Sequence, residues 1–443
     1  MTLKQSVLSP ARVLLGTILI TISGGAALLA LPLCRTTEVP FLDLLFTATS
    51  ATTVTGLNTI PLDHFTRYGH SVIMLLMQIG GLGLITLMLF MVSLFVNVGF
   101  GTQLIMGKIL ELDTWKNIKR LLLFIIGFTL VVEFLGACCI FFAIKEHYTL
   151  SNALFLSIFH AVSAFCNAGF SLFPHGLGFM QTNPFLLSIT SLLILAGGLG
   201  FLTWHELYIW LQTLKKKRRH TFTLQSKIVM YATALLTGSG LLLYWILERN
   251  NTLAHDTWFL TLLNSLLNSL SARSAGFVTI PTSDLHLATL LVFMVMAFIG
   301  SSPASTGSGV KTTTFAIFLS TVRSALYARP SIEIQGRRIA QEQVYKALAI
   351  ITLSICWIFF ATFCLLITEK GWEFLDILFE VVSAFATLGL SLGVTPYLTP
   401  FGKLLIMLTM VIGRIGSMTA VLALQRKIKP AEYEYPEERV MLG

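Results

Sequence analysis

Apolar runs of about twenty residues recur along this chain, covering roughly 13–33, 70–96, 121–143, 185–211, 228–247, 287–327, 347–367 and 402–424. A run of that length crosses the hydrocarbon core of a bilayer as one α-helix. The pattern therefore predicts an all-α polytopic membrane protein. The runs fall into pairs, and inside each pair lies a shorter amphipathic stretch of about ten to fourteen residues. Too short to cross, these stretches fit re-entrant helices that enter the membrane and turn back.

The four short stretches repeat one motif. They read FLDLLFTATSATTVTGLN from Phe41, ALFLSIFHAVSAFCNAGFSLF from Ala153, FLTLLNSLLNSLSARSAGFVTI from Phe259 and FLDILFEVVSAFATLGLSLG from Phe374. Each passes through small or polar residues to one glycine followed by Leu or Phe. The glycines, Gly56, Gly169, Gly276 and Gly389, lie 113, 107 and 113 residues apart. The expected architecture is four tandem helix–pore-loop–helix repeats: eight spanning helices plus four re-entrant pore helices around a pseudo-fourfold central pore. The units are 1–110, 111–220, 221–340 and 341–427, with a gate loop at about 299–314 and a cytoplasmic tail at 428–443.

Composition excludes a soluble enzyme or nucleic-acid binder: 55% of the residues are hydrophobic and 12% charged, about half the charged fraction of a soluble domain. Charge placement orients the chain. Basic residues gather at Lys108, Lys116, Lys119 and Arg120, at Lys215 to Arg219, at Arg323, Arg329, Arg337, Arg338 and Lys346, and at Arg426, Lys427 and Lys429. The positive-inside rule puts these loops and both termini in the cytoplasm, so the short helices enter from outside. The surroundings are membrane lipid, and the basic runs need no nucleic-acid partner. The first run follows a short basic N-terminus and reads as a retained spanning helix. The six cysteines lack metal-type spacing and read as small buried hydrophobes.

Non-helical backbone at membrane depth is tolerated where protein buries it or where it lines a water-filled path. Four loops converging on one axis can replace a cation's hydration shell with backbone carbonyls. Glycine permits the positive φ that aims those carbonyls along a narrow bore. The candidate ion-binding residues are thus Thr55 and Gly56, Ala168 and Gly169, Ala275 and Gly276, and Leu388 and Gly389. The side chains before the glycines differ, so coordination is expected from the backbone. One glycine per loop suggests few good sites and slow throughput.

The run in the third unit breaks at FIGSSPASTGSGVKTTTF, Phe298 to Phe315. Three glycines, four serines, a proline and a lysine suit no lipid-facing helix. The segment is expected under the ring of glycines as an intramembrane gate made of Gly300, Ser301, Ser302, Pro303, Ala304, Ser305, Thr306, Gly307, Ser308, Gly309 and Lys311. The same position in the other units lies deep within an apolar run. Arg414, in VIGRIGSM, sits midway along the last apolar run, where a charge is expensive and usually faces a path. It is the expected electrostatic barrier at the gate, with a structural ion pair or a carbonyl-satisfying arginine as the competing reading. Arg273 reads as a brace of the pore helix and Lys311 as a partner for loop carbonyls.

The four loops, MQIGGLGLITL after the first, GSSPASTGSGVKTTTF and GRIGSMT together resemble the Ktr/Trk/HKT superfamily of cation transporters, and most of all its KtrB-type membrane subunits. The resemblance covers about residues 10 to 430. It implies a potassium-uptake protein of the cytoplasmic (inner) membrane. Potassium would bind at the four filter glycines, since serine at the first goes with sodium-permeable plant relatives. It also implies a homodimer with one pore per protomer and a cytoplasmic ring of RCK-type, KtrA-like nucleotide-binding subunits that controls the gate through ATP and ADP. Two departures stand out: Ala304 and Ser308 occupy positions where glycine is common in the family. GGLG at Gly80 to Gly83 and at Gly197 to Gly200 reads as close helix packing. No nucleotide-binding fingerprint occurs here, so no organic cofactor is expected in this chain.

Two alternatives stand beside this reading. A sodium-selective or sodium-coupled transporter of the same superfamily differs in the ion carried, or in sodium acting as a coupling or activating ion. An integral membrane enzyme is the distant alternative. WHEL at Trp204 lacks the second histidine of a zinc-protease motif, and His160, on a short helix, reads as a packed or hydrogen-bonded residue.

Overall fold

The computed structural model describes residues 10–82, 115–173, 178, 181–215, 221–329 and 331–424. The end of the second apolar run, the basic residues Lys108, Lys216 to Arg219, Arg426, Lys427 and Lys429, Gly83 and the tail lie outside the described residues. Fifteen helices account for most of what is described.

Each quarter of the chain opens with one long helix: α1 (Pro10–Leu29), α4 (Trp115–Ile144), α8 (Leu224–Glu248) and α12 (Gln341–Thr368). Among the described residues these four are long and apolar enough to cross a membrane, and 28–33% of each spanning window is buried. The remaining faces carry exposed Leu123, Phe134, Leu235, Phe359 and Phe363, an apolar outer surface suited to lipid.

A shorter helix follows each long one: α2 (Phe41–Thr53), α5 (Leu150–Cys166), α9 (Trp258–Ser274) and α13 (Phe374–Ala386). These are buried over most of their length, small hydroxylated residues included. Two of them run to 17 residues, slightly longer than the pattern suggested.

The second apolar run is described as helix up to Gly81 in the first quarter, and in the other three it is not one continuous helix. It gives α3 (Arg67–Gly81), then α6 (Pro184–Gly198) and α7 (Phe201–Lys215), then α10 (Leu287–Phe298) and α11 (Thr312–Leu326), then α14 (Pro400–Ile415) and α15 (Ser417–Leu424). Helices α6 and α7 meet at 98°, so the expected run 185–211 is bent sharply at Gly198 to Gly200. Gly200 supplies the φ of +91° that the bend needs, and Gly416 does the same between α14 and α15 at +92°.

Three of these second helices start alike. The side chains of Thr66, Asn183 and Thr399 accept backbone N–H bonds at the starts of α3, α6 and α14. Residues at the ends of two long helices tie down the starts of α10 and α14. Glu248 accepts from His286 N at 3.0 Å and Thr289 Oγ1 at 2.5 Å, and Glu369 from Thr399 N at 3.0 Å and Oγ1 at 2.5 Å. In the first quarter a backbone pair, Thr66 N to Cys34 O at 3.0 Å, takes that role.

Buried apolar side chains form two large halves. One draws on α1 to α6 and reaches α9; the other on α8 to α14 and takes in Phe46 and Leu57 of the first quarter. A partly buried ion pair, Lys403 Nζ to Asp43 Oδ1 at 2.5 Å, joins α14 to α2 and so the last quarter to the first. Between α11 and α12, strands β1 (Glu333–Ile334) and β2 (Arg337–Arg338) form a small exposed hairpin. Its turn residues Gln335 and Gly336 both have positive φ, as a tight two-residue hairpin requires.

Candidate functional site

The four glycines form a closed ring of backbone. Their φ values are +96°, +70°, +67° and +85° at Gly56, Gly169, Gly276 and Gly389. A Cβ placed on Gly56 would lie 2.6 Å from the Ala168 carbonyl oxygen, and one on Gly169 would lie 3.0 Å from that of Ala275. One on Gly276 would overlap the Leu388 carbonyl oxygen, and one on Gly389 would overlap that of Thr55. Each glycine thus abuts the carbonyl before the next glycine, and the fourth closes on the first. All eight candidate binding residues come together here, with Thr55, Ala168, Ala275 and Leu388 fully buried.

Three loops enter the ring through one device. Val54, Asn167 and Thr387 end their helices in the left-handed conformation, with φ of 59°, 59° and 49°. Thr55 N, Ala168 N and Leu388 N then each bond back to Ser50 O, Ser163 O and Ser383 O at 2.8 Å. Such caps satisfy helix-end carbonyls, though in β-branched residues the conformation is strained. The third loop departs from this. It is one residue shorter between Ser271 and Gly276, has no left-handed residue, and bonds Gly276 N to Ser271 O at 3.4 Å. The shortened spacing was visible in the sequence; its conformational consequence was not.

Hydroxyls brace this backbone. Ser50 Oγ accepts from Gly56 N at 3.0 Å, and Ser163 Oγ donates to Phe170 O at 2.7 Å. Thr53 Oγ1 lies 2.8 Å from Thr55 Oγ1 and donates to Thr49 O at 2.8 Å.

Glycines late in the second helices pack against the ends of the short helices. Gly80, Gly197 and Gly413 pack so closely against the Thr52, Phe165 and Phe385 carbonyls that a Cβ would overlap them. The expected close packing of GGLG is therefore real at Gly80 and Gly197, while Gly200 belongs to the bend. In the third unit the expected gate, Gly300 to Lys311, fills this level. It folds on itself through Ser301 N to Ser308 O at 3.1 Å, and its Ser305 Oγ donates to Ser302 O at 2.6 Å.

Three backbone bonds fasten the segment to the bend of α6 and α7: Ser302 N to Gly198 O at 3.4 Å, Thr306 N to Gly197 O at 3.2 Å and Phe201 N to Ala304 O at 2.8 Å. Thr306 Oγ1 donates to Phe165 O at 3.1 Å and accepts from Asn167 Nδ2 at 2.8 Å, which ties the segment to a residue two before Gly169. Ala304 is held at φ +52°.

Arg414 reaches into the same place. Its guanidinium donates to the Thr306 carbonyl, to Ser308 Oγ at 3.1 Å and to the Gly80 carbonyl. One side chain from the fourth unit so bridges the segment of the third and the last turn of α3 in the first. The carbonyl-bonding reading of Arg414 describes its contacts. Lys311 Nζ donates to Gly307 O at 2.7 Å, as expected of a loop-carbonyl partner. Arg273 is buried, with Nη2 at 3.5 Å from Gly300 O, a brace between α9 and the segment. Beside these groups lies a cavity of about 170 Å³ lined by Lys311, Ser354, Phe385, Arg414, Gly416 and Ser417 among others.

The rival features are structural. His160 Nε2 lies 3.2 Å from Thr190 Oγ1 and its ring meets Phe173 and Phe277 edge-on. Glu206 of WHEL accepts from Thr223 N at 2.6 Å and from Thr223 Oγ1 at 2.8 Å.

Comparison with known proteins places the chain in a family. Residues 20–434 match the TrkH family, described as cation transport proteins. The potassium/sodium uptake protein NtpJ of Enterococcus hirae is 38% identical, covering 98% of each chain. The Ktr system potassium uptake protein B of Bacillus subtilis is 36% identical, covering 98% of this chain and 97% of its own. The potassium transporter TrkH of Vibrio parahaemolyticus has a crystal structure with a TM-score of 0.72 at 18% identity, over 96% of this chain and 87% of that one. The protein is a multi-pass membrane transporter. It belongs to the TrkH family of cation transport proteins, as the sequence resemblance implied.

Proposed function

We propose that this protein takes up potassium across the cytoplasmic membrane through a filter made by the glycine ring. The observation that carries the reading is the cyclic contact of each glycine with the carbonyl preceding the next. In a ring so narrow, Thr55, Ala168, Ala275 and Leu388 offer carbonyl oxygens to a dehydrated cation. The four buried short helices point their C-terminal, electronegative ends toward it. The interrupted second helices count as spans, giving eight crossings about a pseudo-fourfold pore, with both termini cytoplasmic. The relatives NtpJ and the Ktr system protein are uptake proteins, which supports transport over an enzymatic role.

The segment Gly300 to Lys311 is the gate, and its bonds to the α6–α7 bend and to Arg414 hold it closed. Arg414 adds a positive charge that opposes cation occupancy until the segment moves, and the cavity beside it offers space for that movement. A homodimer with a cytoplasmic RCK-type, KtrA-like nucleotide-binding ring is the proposed assembly; the Ktr system relative supports further subunits by its name. The likeness to NtpJ, a potassium/sodium uptake protein, favours a second reading, in which sodium is carried as well.

Uptake of potassium, rubidium and sodium in cells lacking their own potassium transporters tests the function. Rescue of growth on low potassium, abolished by Gly→Asp at any ring position, is expected. No rescue with or without a ring subunit, or normal flux in all four variants, refutes it.

A further inference from the structure

One helical turn before Ser50, Ser163, Ser271 and Ser383 stand Thr47, His160, Asn268 and Glu380, all buried. Their bonds differ. Thr47 Oγ1 donates to Asp43 O at 2.9 Å and Asn268 Nδ2 to Asn264 O at 2.9 Å, both within their own helices. His160 bonds to Thr190 of the following helix. Glu380 alone among these four bonds to the chain leaving the ring. Its carboxylate accepts from Ser391 Oγ at 2.7 Å and from Thr395 Oγ1. Ser391 Oγ in turn accepts from Gly393 N at 3.0 Å.

Glu380 is fully buried, and among the described residues no lysine or arginine pairs with it. A buried carboxyl without a counter-charge depends on its hydrogen bonds, and the two hydroxyls are held in place through it. Ser391 is two residues beyond Gly389, close enough for its position to be passed along two peptides to the ring. Its relay to Gly393 fixes the next turn as well.

We propose that Glu380 is a positioning residue that holds the outer part of the fourth loop through Ser391 and Thr395 and thereby sharpens discrimination between potassium and sodium. The inference rests on the ring being the filter. Carbonyls discriminate between cations by the size and stiffness of the cage they form. Loosening one quarter lets that cage contract around sodium.

The test is potassium and sodium uptake by the full-length protein in proteoliposomes, for Glu380→Gln, Ser391→Ala and Gly389→Ser. Glu380→Gln keeps the shape and replaces one of the two acceptor oxygens with an amide nitrogen that cannot accept. The potassium-to-sodium uptake ratio is expected to fall about fivefold, as when one hydrogen bond is lost. Ser391→Ala removes one donor and is expected to shift the ratio less, in the same direction; it decides the matter if Glu380→Gln does not assemble. A purely structural role would lower both fluxes in proportion, and that result, or a wild-type ratio in both variants, overturns the proposal. If Gly389→Ser alone changes the ratio, the filter reading stands and this inference falls. If Gly389→Ser leaves it unchanged, both fall.

Discussion

Alanine substitutions around the ring should differ in severity in an order set by geometry. Gly169 and Gly276 have nearly equal φ, +70° and +67°, so alanine carries the same left-handed strain at each, about 1–2 kcal/mol. That alone corresponds to a loss of roughly five- to thirtyfold. The space around them differs. At Gly169 the new Cβ sits 3.0 Å from the Ala275 oxygen, which a small shift relieves; at Gly276 it overlaps the Leu388 oxygen outright. Backbone displaced by overpacking costs about 1–3 kcal/mol more. Gly276→Ala should therefore lose roughly another five- to a hundredfold, and Gly389→Ala, which overlaps the Thr55 oxygen, should behave alike. Rubidium uptake by equal amounts of reconstituted protein measures this. Equal losses at Gly169 and Gly276, or a worse loss at Gly169, would refute the ring geometry.

Arg414→Ala removes three hydrogen bonds holding the segment, each worth about 1.5–3 kcal/mol as a bond to a charged group. Faster uptake at an unchanged potassium-to-sodium ratio is expected, and a change in ratio alone would contradict the gate role. Ala304→Gly relieves an alanine held at φ +52°, stabilising the fastened segment by about 1 kcal/mol. Slower uptake with a raised unfolding temperature is the expected pair of results. Lys403→Met strands the buried Asp43 carboxylate and should cost about 3–5 kcal/mol in thermal unfolding. The double variant with Asp43→Asn should recover most of it; failure to recover would mean that the pair does not join the two ends of the fold.

Long helices were legible because their lipid-facing surface is apolar along its whole length, as at Phe134 and Phe359. The ring residues were legible because four glycines share one local motif, which no single loop would reveal. The breaks were legible in the third unit, where GSSPASTGSG cannot remain a helix. They were hidden at Gly198 to Gly200, where the glycines have only apolar neighbours, and at Gly416, where a single glycine turns the chain within an otherwise apolar run. Arg414 was conspicuous as a charge among apolar residues, but its partners are carbonyls of Gly80 and Thr306, far away in the chain. The fastening of Ser302, Ala304 and Thr306 to the α6–α7 bend is likewise tertiary, and backbone bonds leave no side-chain signature.

On the proposed function a cation sits in the ring. Anomalous scattering from crystals soaked in thallium or rubidium measures this directly. A peak on the axis among the carbonyls of Thr55, Ala168, Ala275 and Leu388, lost in a Gly56→Asp variant, is the expected result. Protein that transports the ion yet shows no density at that point would contradict the account.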